Sequence, residues 1–256
     1  VGGCCNTISG ASCKQSFIGG GCKNIINSAN NAVIVGGTLN TASAPCSFIG
    51  GGYQNSLNTS STVSSYDGSG NPIYVTVGTG SVIVGGNLNT SSANNSFIGG
   101  GYKNKIPSGY REGSVIVGGT NNSTISGYYG PSFADTFIGG GSNNKIESFG
   151  GAFLGGGYLN TVSGTYQNTI VGGQSNKITA GGYSFIGGGY NNTISGYYSS
   201  VVGGTSNTVS GRYSSVVGGT FNTASAECSF IGGGEKNCIL PTHSHAFIIG
   251  SNLTST

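Results

Sequence analysis

Apolar positions recur along this chain at one short interval, and the polar residues between them recur as regularly. The phrase is plainest in Ser184 to Gly196, SFIGGGYNNTISG, and it runs back in degraded form to the first residue. Its fixed point is an Asn preceded at four and three residues by a Gly-Gly pair: Asn6, Asn24, Asn40, Asn55, Asn89, Asn104, Asn122, Asn144, Asn160, Asn176, Asn192, Asn207, Asn222 and Asn237. Six residues before the Asn stands an aliphatic residue, as in Ile18, Ile83, Leu154 and Val201. Two residues after it stands another, as in Ile26, Leu57, Val162 and Ile194, with Ser91 and Thr124 as exceptions. Most steps are 15 to 18 residues. That is too short for a helix with its turns but suits two short strands and two turns. The pattern therefore predicts an all-β, parallel β-solenoid (a β-roll) of about 14–15 short coils. The step of 34 between Asn55 and Asn89 is read as one coil with an insertion, because residues 58–80 hold no second copy.

The first strand of each coil is apolar on both faces. One face carries the constant Ile or Val. The other carries a coupled pair, Phe with Gly (Phe48 and Gly50, Phe185 and Gly187) or a smaller residue with Val (Val82 and Val84, Ser200 and Val202). Such a volume trade is what a packed interior demands, which predicts burial of both faces. A coil this small has one interior, so the second face is expected to meet other copies of the chain, most simply three around an axis. The second strand alternates apolar and hydroxylated residues, as in Asn192-Thr193-Ile194-Ser195, the pattern of a half-exposed strand. Its ranks, such as Thr193/Ser195, Thr208/Ser210 and Thr223/Ser225, leave ice binding as an alternative, although Ile25, Lys105, Lys145 and Lys177 interrupt them. The Gly-Gly pair is expected to be a turn requiring positive φ. The recurrent Asn, from Asn144 through Asn160, Asn176, Asn192, Asn207, Asn222 and Asn237, is expected to form a structural hydrogen-bonded ladder.

Composition alone, with 52 Gly in 256 residues and 6% charged residues, would suggest low complexity; the periodicity overrules it. The net charge of +3 is spread without a basic cluster, and no apolar run reaches membrane length, so neither nucleic acid nor membrane insertion is expected. The chain is read as one repetitive solenoid over 1–256, cut from a longer fibre, with 58–80 as a protruding loop. The few carboxylates, Asp67, Glu112, Asp135, Glu147, Glu227 and Glu235, do not recur at equivalent places in adjacent coils, so no enzyme is expected.

Three other features bear on chemistry. Cys4 and Cys22 each stand two residues before the anchor in successive coils, within reach of a disulfide; a staple and a reduced ladder remain open. His243 and His245, two apart on an expected strand, would face one side, and three copies would gather six imidazoles around a structural metal ion; no other cofactor is expected. Insertions fall between the second strand and the next first strand. They carry Tyr66, Tyr74, Tyr110, Arg111, Tyr128 and Tyr129, an adhesive set suited to a cell-surface glycan or protein, with Tyr166, Tyr197, Tyr198 and Tyr213 nearby.

The repeat resembles the head repeats of trimeric autotransporter adhesins of the YadA-like type. The form SFIGGGxxNxI, with the closing HSHAFIIGSN, looks like repetitive fibre proteins of tailed bacteriophages and large DNA viruses. The resemblance implies a left-handed, homotrimeric β-roll on a virion or cell surface, in a fibre serving attachment or decoration. It carries no catalytic residue. A purely structural spacer without ligand is the remaining alternative.

Overall fold

The computed structural model describes residues 2–66, 72–108, 113–124, 135–148 and 150–255. It is a parallel β-solenoid with no helix among the described residues. The chain divides into two compact units, Val1–Gly140 and Gly141–Thr256.

In Val1–Gly140 the first strands are Phe17–Ile18, Val33–Ile34, Phe48–Ile49, Val82–Ile83, Phe97–Ile98, Val115–Ile116 and Thr136–Ile138, each paired in parallel with the next. The second strands, from Thr7–Ser9 to Ser123–Thr124, form a second parallel rank. Val82 pairs directly with Phe48, so residues 58–80 interrupt the order of the chain and not the stack. They rise as an antiparallel hairpin of Ser60–Tyr66 and Pro72–Val77. In Gly141–Thr256 the same two ranks run from Ala152–Leu154 to Phe247–Ile248 and from Lys145–Ile146 to Cys238–Ile239.

Strands of two or three residues cannot stand alone; they persist because each rung hydrogen-bonds to the next. Thr193 N donates to Asn207 O at 2.8 Å, and Thr208 N to Asn222 O at 2.8 Å. Inside the coil the aliphatic residues of both strands meet. Ile186, Ile194, Val201 and Val209 are fully buried, as are Ile34, Ile49 and Leu57 in the first unit. A fully buried side chain of this kind contributes about 1.5–3 kcal/mol, repeated on each rung.

The anchor asparagines line the same interior. Asn207 Nδ2 donates to Gly203 O at 3.1 Å and to Gly219 O on the next rung at 3.0 Å, while its Oδ1 accepts from Asn222 N at 3.0 Å. Asn144, Asn160, Asn176, Asn192, Asn222 and Asn237 are buried at the same station, and each bonds a turn carbonyl of the following rung or its own. One side chain thus satisfies a carbonyl of its own turn and an amide of the next rung, and adds a second donor to a carbonyl of that rung. A second polar rank is formed by serines eight residues before the anchor. Ser214 Oγ donates to Ala226 O at 2.8 Å and accepts from Ser229 N at 3.0 Å.

Two details of the turn depart from the sequence reading. Only the second glycine of each pair has consistently positive φ, for example 86° at Gly37 and 91° at Gly204. The residue just before the anchor is also left-handed although it is rarely glycine: φ is 59° at Leu39, 56° at Leu159 and 57° at Phe221. The coil therefore imposes the left-handed conformation on bulky residues and holds it with rung-to-rung bonds such as Leu39 N to Cys22 O, 3.0 Å.

The sequence expectation buries one face of the first strand inside the coil and the other against further copies of the chain, and the single chain shows the first of these. The outward face is open in the single chain: Phe17 is 55% exposed, Phe185 40% and Val202 54%. The glycine of each Phe/Gly pair is crowded from two sides, by the carbonyl of the next rung (Val202 O at Gly187, Val117 O at Gly99) and by the ring of its own strand. A Cβ on Gly187 would lie 3.3 Å from Cε1 of Phe185, and one on Gly99 3.3 Å from Cε1 of Phe97, so the ring lies over the glycine two residues on. Where that residue is Val, the preceding position is smaller, and the ridge shifts by two residues along the strand.

Candidate interaction surfaces

The outward face of the first strands is a regular apolar surface in each unit. In the first it runs through Phe17, Val35, Phe48, Val84, Phe97 and Val117, all exposed. In the second it runs through Phe153, Val171, Phe185, Val202, Val217 and Phe247. Isolated exposed apolar side chains are ordinary, but an unbroken row with one member per rung marks an interaction surface. The ring pair Phe230–Phe247, stacked at 4.9 Å and 7°, lies on the same row.

The outward face of the second strands is polar. Thr193, Thr208 and Thr223 stand in register on successive rungs, with Lys177 before them and Cys238 after. The hydroxyl row is therefore three rungs long at this station.

The second turn of the coil carries a surface that the sequence shows only in part, through Tyr166, Tyr198 and Tyr213 but without Tyr183 or the stacking. Tyr183, Tyr198 and Tyr213 occupy the same station on three successive rungs, nine residues before their anchors, each left-handed with φ of 55–56°. Identical backbone geometry one rung apart points the rings the same way. Tyr183–Tyr198 stack at 5.1 Å and 5°, Tyr198–Tyr213 at 5.1 Å and 18°, and Tyr166–Tyr183 at 5.8 Å and 13°. Arg212 lies over Tyr213 at 4.6 Å and Tyr198 at 5.6 Å, and its Nη2 donates to the Tyr213 hydroxyl at 2.9 Å. The available signal was the spacing of 15 residues between these tyrosines.

Comparison with protein-family models and with curated proteins finds no match.

Of the adhesive set, Tyr110, Arg111, Tyr128 and Tyr129 lie outside the described residues. Tyr66 and Tyr74 fall on the two strands of the hairpin. His243 and His245 sit on turn residues before Phe247–Ile248, not on a strand. The strand argument for a shared side therefore does not apply to them. His243 Nδ1 is 3.0 Å from Ser255 Oγ, and His245, at φ 65°, donates its amide to Glu227 O. No group of three or more His, Cys, Asp and Glu is gathered for a metal among the described residues. Cys4 and Cys22 face each other across a rung, and the seven cysteines stand as thiols. Cys4 Sγ is 3.2 Å from Cys5 Sγ; that hydrogen bond, with the nearby Cys5 and Cys22 thiols, pushes the Cys4 thiol up to about 11.

Proposed function

We propose that this chain is the stalk of a surface fibre, a homotrimer closed along the outward faces of its first strands, with attachment mediated by what the second turns present. The observation that carries this reading is the row of exposed Phe and Val, one member per rung. A cyclic arrangement about an axis parallel to the stack sets like rungs level, so that each Phe layer meets the Phe layers of two other copies and each Val layer meets Val. Phe17, Phe48, Phe97, Phe153, Phe185 and Phe247 would then lose water together. The hairpin of Ser60–Tyr66 and Pro72–Val77 is inserted between a second strand and the next first strand, and would supply a surface for a glycan or protein. An extracellular setting, on a virion or a cell envelope, follows from this reading. The interruption of the Thr rank by Lys177 and Cys238, and the end of the neighbouring Ser rank at Leu240, favour the fibre over ice binding.

Sedimentation equilibrium at micromolar concentration tests the assembly. The native chain should run at three times its 25.4 kDa mass. The double substitution Val202→Asp, Val217→Asp, which touches no interior residue, should yield smaller species with unchanged far-ultraviolet circular dichroism. A native chain that sediments as a monomer overturns the trimer. Attachment is tested on glycan arrays and host cells with residues 58–80 deleted; binding unchanged by the deletion removes the hairpin from the reading.

A further inference from the structure

From the tyrosine ladder of the second unit we infer that this chain carries a built site for oxidative tyrosine cross-linking, with Tyr183 and Tyr198 as the preferred pair. The geometry rules out a more familiar use of exposed tyrosine first. A sugar ring packs on an aromatic face, but here Tyr183 and Tyr198 cover each other's faces at 5.1 Å and 5°, and Tyr166 and Tyr213 cover the faces that remain. What the ladder leaves to solvent is its edge. Each of the four residues is about half exposed although stacking covers ring faces, so what the ladder offers to an oxidant lies along its edge.

That arrangement suits radical coupling. A one-electron oxidant, such as a haem peroxidase using hydrogen peroxide, removes one electron from a phenol, whose hydroxyl proton leaves with it, and a phenoxyl radical remains. A second oxidation gives a second radical on the neighbouring ring. The radicals combine by one carbon–carbon bond between ring carbons adjacent to the oxygens. The hydrogens on those two carbons then return to the oxygens as hydroxyl protons, restoring both phenols. Each cross-link thus releases two hydrogen atoms, two electrons with two protons, and one hydrogen peroxide accepts them to become two waters. The rings need only rock toward each other, because the rungs beneath them are already fixed by bonds such as Tyr198 N to Gly182 O at 2.9 Å and Tyr213 N to Tyr197 O at 3.0 Å. The pair Tyr183–Tyr198 is favoured over Tyr198–Tyr213 because Arg212 donates to the Tyr213 hydroxyl and lies nearer its ring, 4.6 Å against 5.6 Å for Tyr198, which opposes loss of an electron most strongly at Tyr213. It is favoured over Tyr166–Tyr183 by the shorter separation. The product ties adjacent rungs covalently at the turn, outside the buried serines that already bond one rung to the next there, such as Ser199 Oγ to Gly211 O at 2.8 Å.

The test uses the full chain at low concentration with peroxidase and hydrogen peroxide. Blue dityrosine fluorescence is followed, and the cross-linked peptides are identified by mass spectrometry. The expected product is a peptide pair joining Tyr183 to Tyr198, lighter by two hydrogens. Tyr198→Phe keeps the ring stack and should remove most of the fluorescence yield. Tyr190→Phe, an equally exposed tyrosine outside the ladder, should leave the yield unchanged. Three results would overturn the inference. Cross-links could spread over Tyr53, Tyr102, Tyr158 and Tyr190 according to exposure. The yield could survive Tyr198→Phe. Like residues of different copies, Tyr183 to Tyr183, could dominate.

Discussion

The two glycines of each turn should respond oppositely to a methyl group, and the pair Gly203–Gly204 isolates the effect. At Gly204, φ is 91°, which an L side chain adopts only under strain. A Cβ there would lie 2.6 Å from Asn207 Nδ2 and would overlap the carbonyl oxygen of Gly219 on the next rung. Strain contributes about 1–3 kcal/mol and overlap with fixed backbone a similar amount, so Gly204→Ala should destabilise its rung by about 2–5 kcal/mol. At Gly203 nothing lies within 4 Å of the added atom and no unusual φ is required, so Gly203→Ala should be neutral or stabilising by about 0.4–1 kcal/mol through the unfolded chain. A stacked array opens locally, so a global melting point would blur the contrast. Amide hydrogen exchange reads it directly. Thr205 N donates to Gly219 O and Thr220 N to Gly234 O, both at 2.9 Å, and both amides should exchange at least about tenfold faster in Gly204→Ala. In Gly203→Ala they should exchange at the native rate or more slowly. Equal exchange in the two variants would refute the claim that the second glycine is required by close approach of the rungs.

Asn207→Ala should cost about 2–5 kcal/mol, because it leaves Gly203 O and Asn222 N without partners and removes one of the two donors to Gly219 O; near-isosteric Asn207→Asp should be no better, since a carboxylate would face two carbonyl oxygens. Urea midpoints for both variants check this, and a tolerated aspartate would contradict the donor role. For Cys4 the sign is that of an acid made weaker: its thiol, raised from 9.0 to about 11, stays protonated and slow to alkylate at pH 9, and becomes reactive only as pH approaches 11. Cys5→Ala removes the largest cause and should speed alkylation of Cys4 at pH 9, measured by mass spectrometry of the N-terminal peptide; an unchanged rate would assign the shift elsewhere.

The interior was legible because one constraint repeats. Ile or Val six residues before each Asn, the Asn itself and the apolar residue two beyond have one environment each, so their identities hardly vary and the period shows through. The left-handed residue before the anchor was illegible for the opposite reason. Leu39, Ser175 and Phe221 share a backbone conformation but no side-chain chemistry, since that side chain points out of the coil and the rungs enforce the φ. Phe with Gly was legible as a pair from its volume trade, whereas the contact of the ring with the glycine of its own strand is a matter of geometry that residue volumes do not encode. The tyrosine ladder was legible only in part because loops were searched for clusters in sequence, whereas the solenoid gathers residues one full coil apart. The hairpin of residues 58–80 was recognised as an insertion by its lack of an anchor, but its antiparallel pairing rests on Ser60–Tyr66 meeting Pro72–Val77, which the coil period does not encode.

The equivalence of rungs in the second unit also determines how such a chain changes length. Asn192 presents to Asn207 the same 3.0 Å acceptor that Asn207 presents to Asn222, and Thr193, Thr208 and Thr223 follow each other in register. Excising residues 193–207 would bring Asn192 next to Thr208, and each severed partnership would find its counterpart one storey along. Loss of a single residue from the same stretch would instead shift every later anchor off its neighbour. Lengthening and shortening are therefore tolerated in whole storeys, by unequal crossing-over between near-identical stretches of the gene, while odd-sized changes are confined to the second turn, where the insertions of this chain are found.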